Sequence, residues 1–168
     1  ILSKPSFLSG EIKIPGDKSV SHRAILCSAL ANSVSTVNNL QHSEDVLHTL
    51  NVVRQLGIKI EREKTACKIF GKGLNGLSDP NEDLYFGNSG TGIRLTAGVL
   101  AWQSFSSKLK GDPSLSKRPM QRISEPLSLM GAKLLLTSEN TPPIKIMGTN
   151  NLSAISYEMP IASAQVKS

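Results

Sequence analysis

The sequence is poor in the residues on which several specialised functions depend. It has 2 cysteines, 3 histidines and an aromatic content of 4% in 168 residues. Two cysteines cannot build a disulfide framework, so a reducing, cytoplasmic setting is favoured. Cys27 and Cys67 also lack a zinc-ligand spacing with His22, His42 and His48. We therefore expect no metal site and no secreted, disulfide-stapled domain.

Long apolar runs are missing as well. No stretch approaches the roughly 18 to 20 apolar residues that a membrane-spanning helix needs, and Ile1–Pro5 do not have the pattern of a signal peptide. The net charge of +6 indicates anionic partners. Because basic residues are scattered and aromatic residues are rare, the pattern disfavours nucleic acid. Small anions are the expected partners, and nucleic acid and membranes are not.

A weak internal repeat organises the chain. Gly16–Arg23 and Gly87–Arg94 each carry a Gly-Asp or Gly-Asn pair ahead of an arginine, and each opens an apolar stretch. An amphipathic stretch, a glycine (Gly57 or Gly131) and a strand-like run follow in both copies. A third copy begins near Tyr157. A spacing of about seventy residues is longer than that of solenoid repeats and indicates a duplicated α/β subdomain.

Each repeat predicts the order strand, helix, strand, helix, strand, strand, which places helices on a mixed sheet in an α/β (α+β) fold. The predicted elements of the first copy are the strand Glu11–Ile14, a helix from about Ser19 to Asn32, the strand Ser35–Leu40, a helix from Ser43 to Gly57, and a hairpin of Ile58–Glu61 with Cys67–Phe70. In the second copy, a helix is predicted to start at Pro119, with a kink or a frayed first half because of Pro126. The units cover about residues 15–80, 81–150 and 151–168. Because the third unit has barely begun at Ser168, we expect the chain to be part of a longer protein.

The first motif with chemical potential is Gly16–Ser19. A strand that ends in Pro-Gly and a helix that opens with Lys and Ser present free backbone N–H groups and the positive end of a helix dipole to an anion. Lys18 adds a point charge, and Arg23 adds a forked pair of donors. An ordinary helix cap with solvated basic residues fits this segment equally well. Asp17 is interpreted as a turn residue and Asp45 as first-turn helix chemistry.

Three further polar openings precede predicted helices. Gly87–Gly92 would let backbone approach a ligand closely, although a simple Gly-rich turn is the alternative. Lys117 and Arg118 directly precede a helix, where a solvated pair is the more common outcome. Ser163–Gln165 is the last of these openings. Their occurrence together in one small basic chain predicts a ligand with several anionic groups.

The motifs together closely resemble the 5-enolpyruvylshikimate-3-phosphate synthase (EPSP synthase) family. The residues that carry the resemblance, in order, are Gly16–Arg23, Gly87–Thr91, Gly111–Met120 and Ser163–Ser168. The resemblance spans nearly all of the chain but only the N-terminal part of the family's length. It implies two similar domains of three βαβαββ units each, arranged as an inverse α/β barrel. Residues 15–168 would then form an incomplete N-terminal domain, and residues 1–14 a strand segment that belongs with the C-terminal domain.

The activity that the resemblance implies belongs to the shikimate pathway and is the target of glyphosate. The enolpyruvyl group of phosphoenolpyruvate is transferred to the 5-hydroxyl of shikimate 3-phosphate, and phosphate is released. The family is expected to act as a cytoplasmic monomer without metal or organic cofactor. The chain alone is expected to be inactive, because the family's acid and base residues lie in the other half. The alternatives are a UDP-N-acetylglucosamine enolpyruvyl transferase, which opens with Lys-Asn where this chain has Lys18-Ser19, and a non-catalytic module that binds small anions.

The family's functional residues carry over by position. Lys18 would be catalytic, lying between both substrates and stabilising charge on the phosphoenolpyruvate side. The residues implied to bind shikimate 3-phosphate are Lys18, Ser19, Arg23, Ser163, the Ala164 backbone and Gln165. The residues implied to bind phosphoenolpyruvate are Lys18, the Gly90 backbone, Arg118 and Gln165. These residue types suit the task, since forked donors fit carboxylate and phosphate, and glycine permits close approach.

Overall fold

The computed structural model describes residues 7, 9–63, 66–160 and 162–168. Its helices are α1 (Lys18–Leu30), α2 (Glu44–Gln55), α3 (Gly90–Ala101), α4 (Gln121–Leu129) and α5 (Ala164–Lys167). Its strands are β1 (Val34–Asn38), β2 (Lys59–Arg62), β3 (Ala66–Phe70), β4 (Leu84–Tyr85), β5 (Ser106–Lys110), β6 (Lys133–Leu135) and β7 (Ile144–Met147). Among the helices in these described ranges, none has the length and apolar character to cross a membrane.

The first unit forms an antiparallel sheet in the order β1-β3-β2. Strand β3 is central, with Ile69 opposite Ser35 on one side and opposite Ile60 on the other. The predicted hairpin of β2 and β3 is therefore confirmed. Helix α2 ends where predicted, because Gly57 has a φ of +85°, a left-handed conformation that favours glycine and ends helices.

The second unit has the complete predicted order β4-α3-β5-α4-β6-β7. Its sheet has the order β4-β5-β7-β6, in which β4 and β5 are parallel and the other pairs are antiparallel. A parallel pair needs a crossover connection, and α3 provides it. The mixed sheet with helices packed on it is thus confirmed for this unit.

The two units share one hydrophobic core. Helix α1 contacts both α2 and α3. The side chains of Ile25, Leu50, Phe86, Ile93 and Leu100 have no exposed surface and belong to a single buried cluster. Burial of such side chains stabilises a fold by about 1.5–3 kcal/mol each. This shared core fixes how the starts of α1, α2 and α3 lie relative to one another.

The predicted strand Glu11–Ile14 is wrong for the chain as it stands. The structure assigns no strand there, and Ile12 and Ile14 are 82% and 72% exposed. A strand requires a neighbour for its backbone groups, and none of the described strands pairs with this segment. Residues 1–6 and 8 of the predicted segment 1–14 lie outside the described residues.

The second difference between the prediction and the structure concerns α4. It begins at Gln121 with Met120 as its N-cap, two residues later than predicted, and it runs through Pro126 without interruption. A single 3-10 turn, Leu115–Lys117, precedes it. Because the carbonyl of Pro119 accepts a hydrogen bond from Arg94 (3.2 Å), the residues before the helix are held by tertiary contacts. The kink at Pro126 stays a prediction.

Candidate active site

The starts of α1, α2, α3 and α5 converge on one region, joined by hydrogen bonds between distant parts of the sequence. At the start of α1, the side chain of Asp17 accepts a hydrogen bond from the Val20 amide (2.7 Å). Asp17 therefore lies in the turn, as predicted, and it is also the N-cap of α1. Gly16 is needed at this turn, because a Cβ there would lie 2.0 Å from the backbone oxygen of Asn39.

Lys18 forms an ion pair across two helix starts. Its Nζ lies 2.9 Å from Oδ2 of Asp45, in the first turn of α2, and 46% of the lysine side chain is exposed. Asp45 therefore lies in the first helical turn, as predicted, but it also holds the lysine. The sequence pattern did not predict this pairing, since the two residues are 27 positions apart.

Arg23 connects α1 to α5. Its guanidinium donates to the hydroxyl of Ser168 through Nε (3.0 Å) and Nη2 (2.5 Å), and to the carbonyl of Ser19 (3.2 Å). It also reaches the carbonyl of Ala164 (3.4 Å). Ser163 occupies the N-cap position of α5, and its side chain makes no capping hydrogen bond there. The residues implied to bind shikimate 3-phosphate on α1 and α5 are thus brought together.

Gly90 opens α3 directly beneath two guanidinium groups. Its N-cap, Ser89, accepts a hydrogen bond from the Gly92 amide (3.0 Å). A Cβ at Gly90 would lie 3.0 Å from Nη1 of Arg118 and 3.0 Å from Nη1 of Arg94. Glycine is therefore the residue that lets this backbone come so close to two cationic side chains.

Arg94 is a candidate site residue that the sequence analysis did not identify. It is buried, and it donates through Nη1 to Oε1 of Gln165 (3.0 Å) and through Nη2 to the carbonyl of Pro119 (3.2 Å). Its Nε is buried without a partner in the described residues. The repeat contains a signal for it, because Arg94 stands in the second unit where Arg23 stands in the first.

The charge of Arg94 is not balanced by an acid. None of the ion pairs within the described ranges involves it. Burial, followed by the positive charges of Arg122 and Arg118, lowers the pKa of its guanidinium. Arginine stays charged in proteins even so, and a buried charge without a counter-ion is costly. The region around Gly90 therefore carries a positive potential that suits an anionic ligand.

Gln165 and Arg118 complete this group. The side-chain amide of Gln165 accepts from Arg94 and donates to Oγ1 of Thr91 (3.2 Å), which fixes its orientation. Nη2 of Arg118 donates to Oδ1 of Asn88. Gly90, Arg118 and Gln165, which the resemblance assigns to phosphoenolpyruvate, thus meet around Arg94. Lys18, which the resemblance also assigns to phosphoenolpyruvate, is held by Asp45 at the start of α2.

The comparisons with known proteins bear directly on this arrangement. A sequence model of the family described as EPSP synthase (3-phosphoshikimate 1-carboxyvinyltransferase) matches residues 2–168. The chain belongs to the EPSP synthase family. The resemblance carried by the four motifs is therefore confirmed.

Members of the EPSP synthase family match the chain along nearly its whole length. One named 3-phosphoshikimate 1-carboxyvinyltransferase from Streptococcus suis is 51% identical over 162 residues, covering 96% of this chain and 38% of its own length. Another of that name from Vesicomyosocius okutanii is 49% identical and covers 100% of this chain and 38% of its own length. A solved EPSP synthase from Acinetobacter baumannii aligns with a TM-score of 0.91 and 48% identity, over 94% of this chain and 36% of that one. The predicted fold class is confirmed, and the chain spans about 38% of the length of these curated relatives.

Proposed function

We propose that the chain is the N-terminal part of an enzyme that transfers the enolpyruvyl group of phosphoenolpyruvate to the 5-hydroxyl of shikimate 3-phosphate and releases phosphate. The observation that carries the proposal is the group around Gly90. A glycine backbone there lies against two guanidinium groups, of Arg94 and Arg118, and the buried one, that of Arg94, forms no ion pair with an acid among the described residues. Such an arrangement favours a small ligand with more than one negative charge.

The roles proposed for individual residues follow from their chemistry. On the phosphoenolpyruvate side, Arg118 offers a forked pair of donors to carboxylate or phosphate. The Gly90 backbone and the oriented amide of Gln165 approach the same ligand. Lys18 supplies the charge that stabilises the developing negative charge of the transition state, where preorganised donors have their largest effect. Asp45 keeps the lysine in place until substrate arrives.

The shikimate 3-phosphate side is proposed to form between α1 and α5. Arg23 would meet the shikimate carboxylate, since its guanidinium already reaches the hydroxyl and carbonyl groups of α5. Hydroxyl groups of Ser19 and Ser163, the Ala164 backbone and Gln165 would bind the rest of the molecule. No metal or organic cofactor is part of this proposal.

The organisation of the whole protein is also a proposal. Residues 15–168 are proposed to belong to an N-terminal domain, and the segment 1–14 to pair with a strand elsewhere in the protein. The exposure of Ile12 and Ile14 supports this, because alternating apolar side chains are typical of a strand that buries one face. We further propose that the enzyme works in the cytoplasm as a monomer, and that its partners are the two small anions.

The decisive experiment uses the full-length protein, meaning this chain together with the remaining length that its relatives have. With shikimate 3-phosphate and phosphoenolpyruvate, we expect one phosphate released per enolpyruvyl ether detected by mass spectrometry. Turnover with UDP-N-acetylglucosamine in place of shikimate 3-phosphate would favour the alternative, a UDP-N-acetylglucosamine enolpyruvyl transferase. Binding of both anions without any product would favour the non-catalytic module. The 168-residue chain alone is expected to give no product. Measurable turnover by it would contradict the expectation that the acid and base residues lie in the other half of the protein.

A change at Gly90 tests where phosphoenolpyruvate binds. In Gly90→Ala, the added methyl group would sit 3.0 Å from a nitrogen of each of the two guanidinium groups, so Arg94 and Arg118 must shift. We expect the KM for phosphoenolpyruvate to rise roughly 10-fold, equivalent to about 1.4 kcal/mol. The KM for shikimate 3-phosphate should stay within about twofold of the wild-type value, a difference of less than 0.5 kcal/mol on the same scale.

The matched control for this variant lies in the same helix. A Cβ at Gly98 meets nothing within 4 Å, so Gly98→Ala adds a methyl group without a contact. Alanine favours a helix over glycine by about 1 kcal/mol, so this control should fold at least as well as the wild type. The measurement is the KM for each substrate, obtained from steady-state kinetics of both variants. Equal KM values for Gly90→Ala and Gly98→Ala would place phosphoenolpyruvate elsewhere.

A further inference from the structure

His22 is a buried titratable residue that the proposed mechanism does not use. Its side chain has no exposed surface and lies between α1, the middle of α2 and the start of α3. On α1, its Nδ1 is 2.8 Å from Oγ1 of Thr49 in α2, and its Nε2 is 3.4 Å from Oγ of Ser89, the N-cap of α3. Residues 27 and 67 positions away in the sequence are thereby connected through one imidazole.

The hydrogen bonds around His22 fit one arrangement of donors and acceptors. The hydroxyl of Thr49 donates to the carbonyl of Asp45 (3.4 Å), so its oxygen is available to accept from Nδ1–H of His22. The hydroxyl of Ser89 then donates to Nε2, while its oxygen accepts from the Gly92 amide (3.0 Å). In the other tautomer, the Ser89 proton would have no acceptor within this network. The geometry points to a neutral imidazole protonated on Nδ1.

The electrostatic surroundings agree with a neutral ring. Burial lowers the pKa of His22 to about 4, the nearby charges of Lys18 and Arg23 act in the same direction, and Asp45 opposes them. The charged groups facing the ring thus come from α1 and α2, and Ser89 of α3 presents only a hydroxyl. At pH 7 the network needs no counter-ion.

The hydrogen-bond network of His22 has two ends, one at Ser89 before Gly90 and the other at Asp45 beside Lys18. Ser89 immediately precedes Gly90, and a Cβ at Gly92 would lie 2.7 Å from Oγ1 of Thr49 and 2.8 Å from Oγ of Ser89. The first turn of α3 is therefore packed directly onto the network. At the other end, Asp45 pairs with Lys18.

We propose that His22 is a positioning residue for the phosphoenolpyruvate site, acting through Ser89 on the Gly90 backbone. The inference rests on the proposed function for the identity of the ligand. Gly87, Gly90 and Gly92 have no side chains to pack, so between the core residues Phe86 and Ile93 the turn into α3 relies on hydrogen bonds for its position. If the imidazole is removed, the buried Ser89 hydroxyl loses its acceptor and the cap of α3 loosens.

Two substitutions in the full-length protein separate this role from packing alone. His22→Leu fills the space without any polar atom, whereas His22→Gln offers an amide oxygen near the Nε2 position to accept from Ser89. We expect the KM for phosphoenolpyruvate to rise roughly 10-fold or more in His22→Leu. In His22→Gln it should lie within about threefold of the wild-type value. The KM for shikimate 3-phosphate should change by less than about twofold in both.

A second readout does not depend on turnover. Hydrogen exchange of the segment 86–92, followed by mass spectrometry, should be faster in His22→Leu than in the wild type and restored in His22→Gln. Ser89→Ala should resemble His22→Leu, and the double variant should lose little more than either single one. The control is Thr96→Val, because the Thr96 hydroxyl is buried in α3 without a partner in the described residues. It should change neither readout.

The outcomes are distinguishable from failure of the proposed function. If the wild-type protein gives no enolpyruvyl product, the proposed function is wrong, and the exchange experiment still tests the positioning role. Unchanged exchange of segment 86–92 in His22→Leu would overturn the inference whatever the activity. Equal changes in both KM values, or additive effects of His22→Leu and Ser89→Ala, would also overturn it and indicate packing alone.

Discussion

Lys18→Ala is expected to lower kcat of the full-length protein by roughly 10²–10³, the cost of removing one preorganised charge-stabilising donor. The loss should fall on kcat, because the role proposed for the lysine is to stabilise charge that develops in the transition state. The proposed site for shikimate 3-phosphate has other contributors, including Arg23, so the KM for that substrate should change less. Steady-state kinetics with both substrates varied, together with the melting temperature, provide the measurement.

The control for Lys18→Ala removes a comparable ion pair away from the site. Nζ of Lys59 lies 2.7 Å from Oε1 of Glu61, and both side chains are largely exposed on β2. Exposed pairs of this kind contribute about 0–1 kcal/mol to stability. Lys59→Ala should therefore keep wild-type kinetics. A kcat of Lys18→Ala equal to that of Lys59→Ala would remove Lys18 from the catalytic machinery.

Arg118→Ala has the second large expected effect, on phosphoenolpyruvate binding. Truncating one partner of a hydrogen-bonded charge pair costs about 2–5 kcal/mol, so kcat/KM for phosphoenolpyruvate should fall roughly 30-fold or more. The loss should appear mainly as a higher KM, since Arg118 would contact the ligand in the ground state as well. Binding of shikimate 3-phosphate alone, measured by calorimetry, should be unaffected.

The neighbouring lysine provides the control for Arg118→Ala. Lys117 is exposed at the end of the 3-10 turn, whereas Arg118 is half-buried and reaches Asn88. Lys117→Ala removes the same unit of charge at nearly the same place. If both variants raised the KM equally, a general electrostatic attraction would explain the effect, and the specific role of Arg118 would be refuted.

Local signals made much of the fold predictable. The turn at Asp17, the glycine stop at Gly57 and the hairpin of β2 and β3 depend on residues close together in the sequence. The repeat then allowed the order of elements in one unit to be transferred to the other. The strand predicted for Glu11–Ile14 was wrong for this chain, because alternation alone does not supply the neighbouring strand that a strand's backbone groups need.

The candidate site was predictable in composition but not in its connections. The motifs contain Lys18, Gly90, Arg118 and Gln165, and each motif lies at a helix start, where anions are favoured. The role of Arg94 was not apparent, because a lone arginine in an apolar helix gives no indication of what it contacts. Its link to Gln165 spans 71 positions and exists only because α3 and α5 pack side by side.

The sequence by itself therefore determined the repeated α/β order, the positions of the helix starts and the family to which the chain belongs. These depend on periodicity, capping and motif chemistry, all of which act over a few residues. Only the tertiary structure decided that Asp45 holds Lys18, that Arg94 is buried without an acid partner in the part of the chain that the structure describes, and that His22 joins three helices. Such contacts depend on how a shared core brings helices together, and no local rule specifies which buried polar groups then meet.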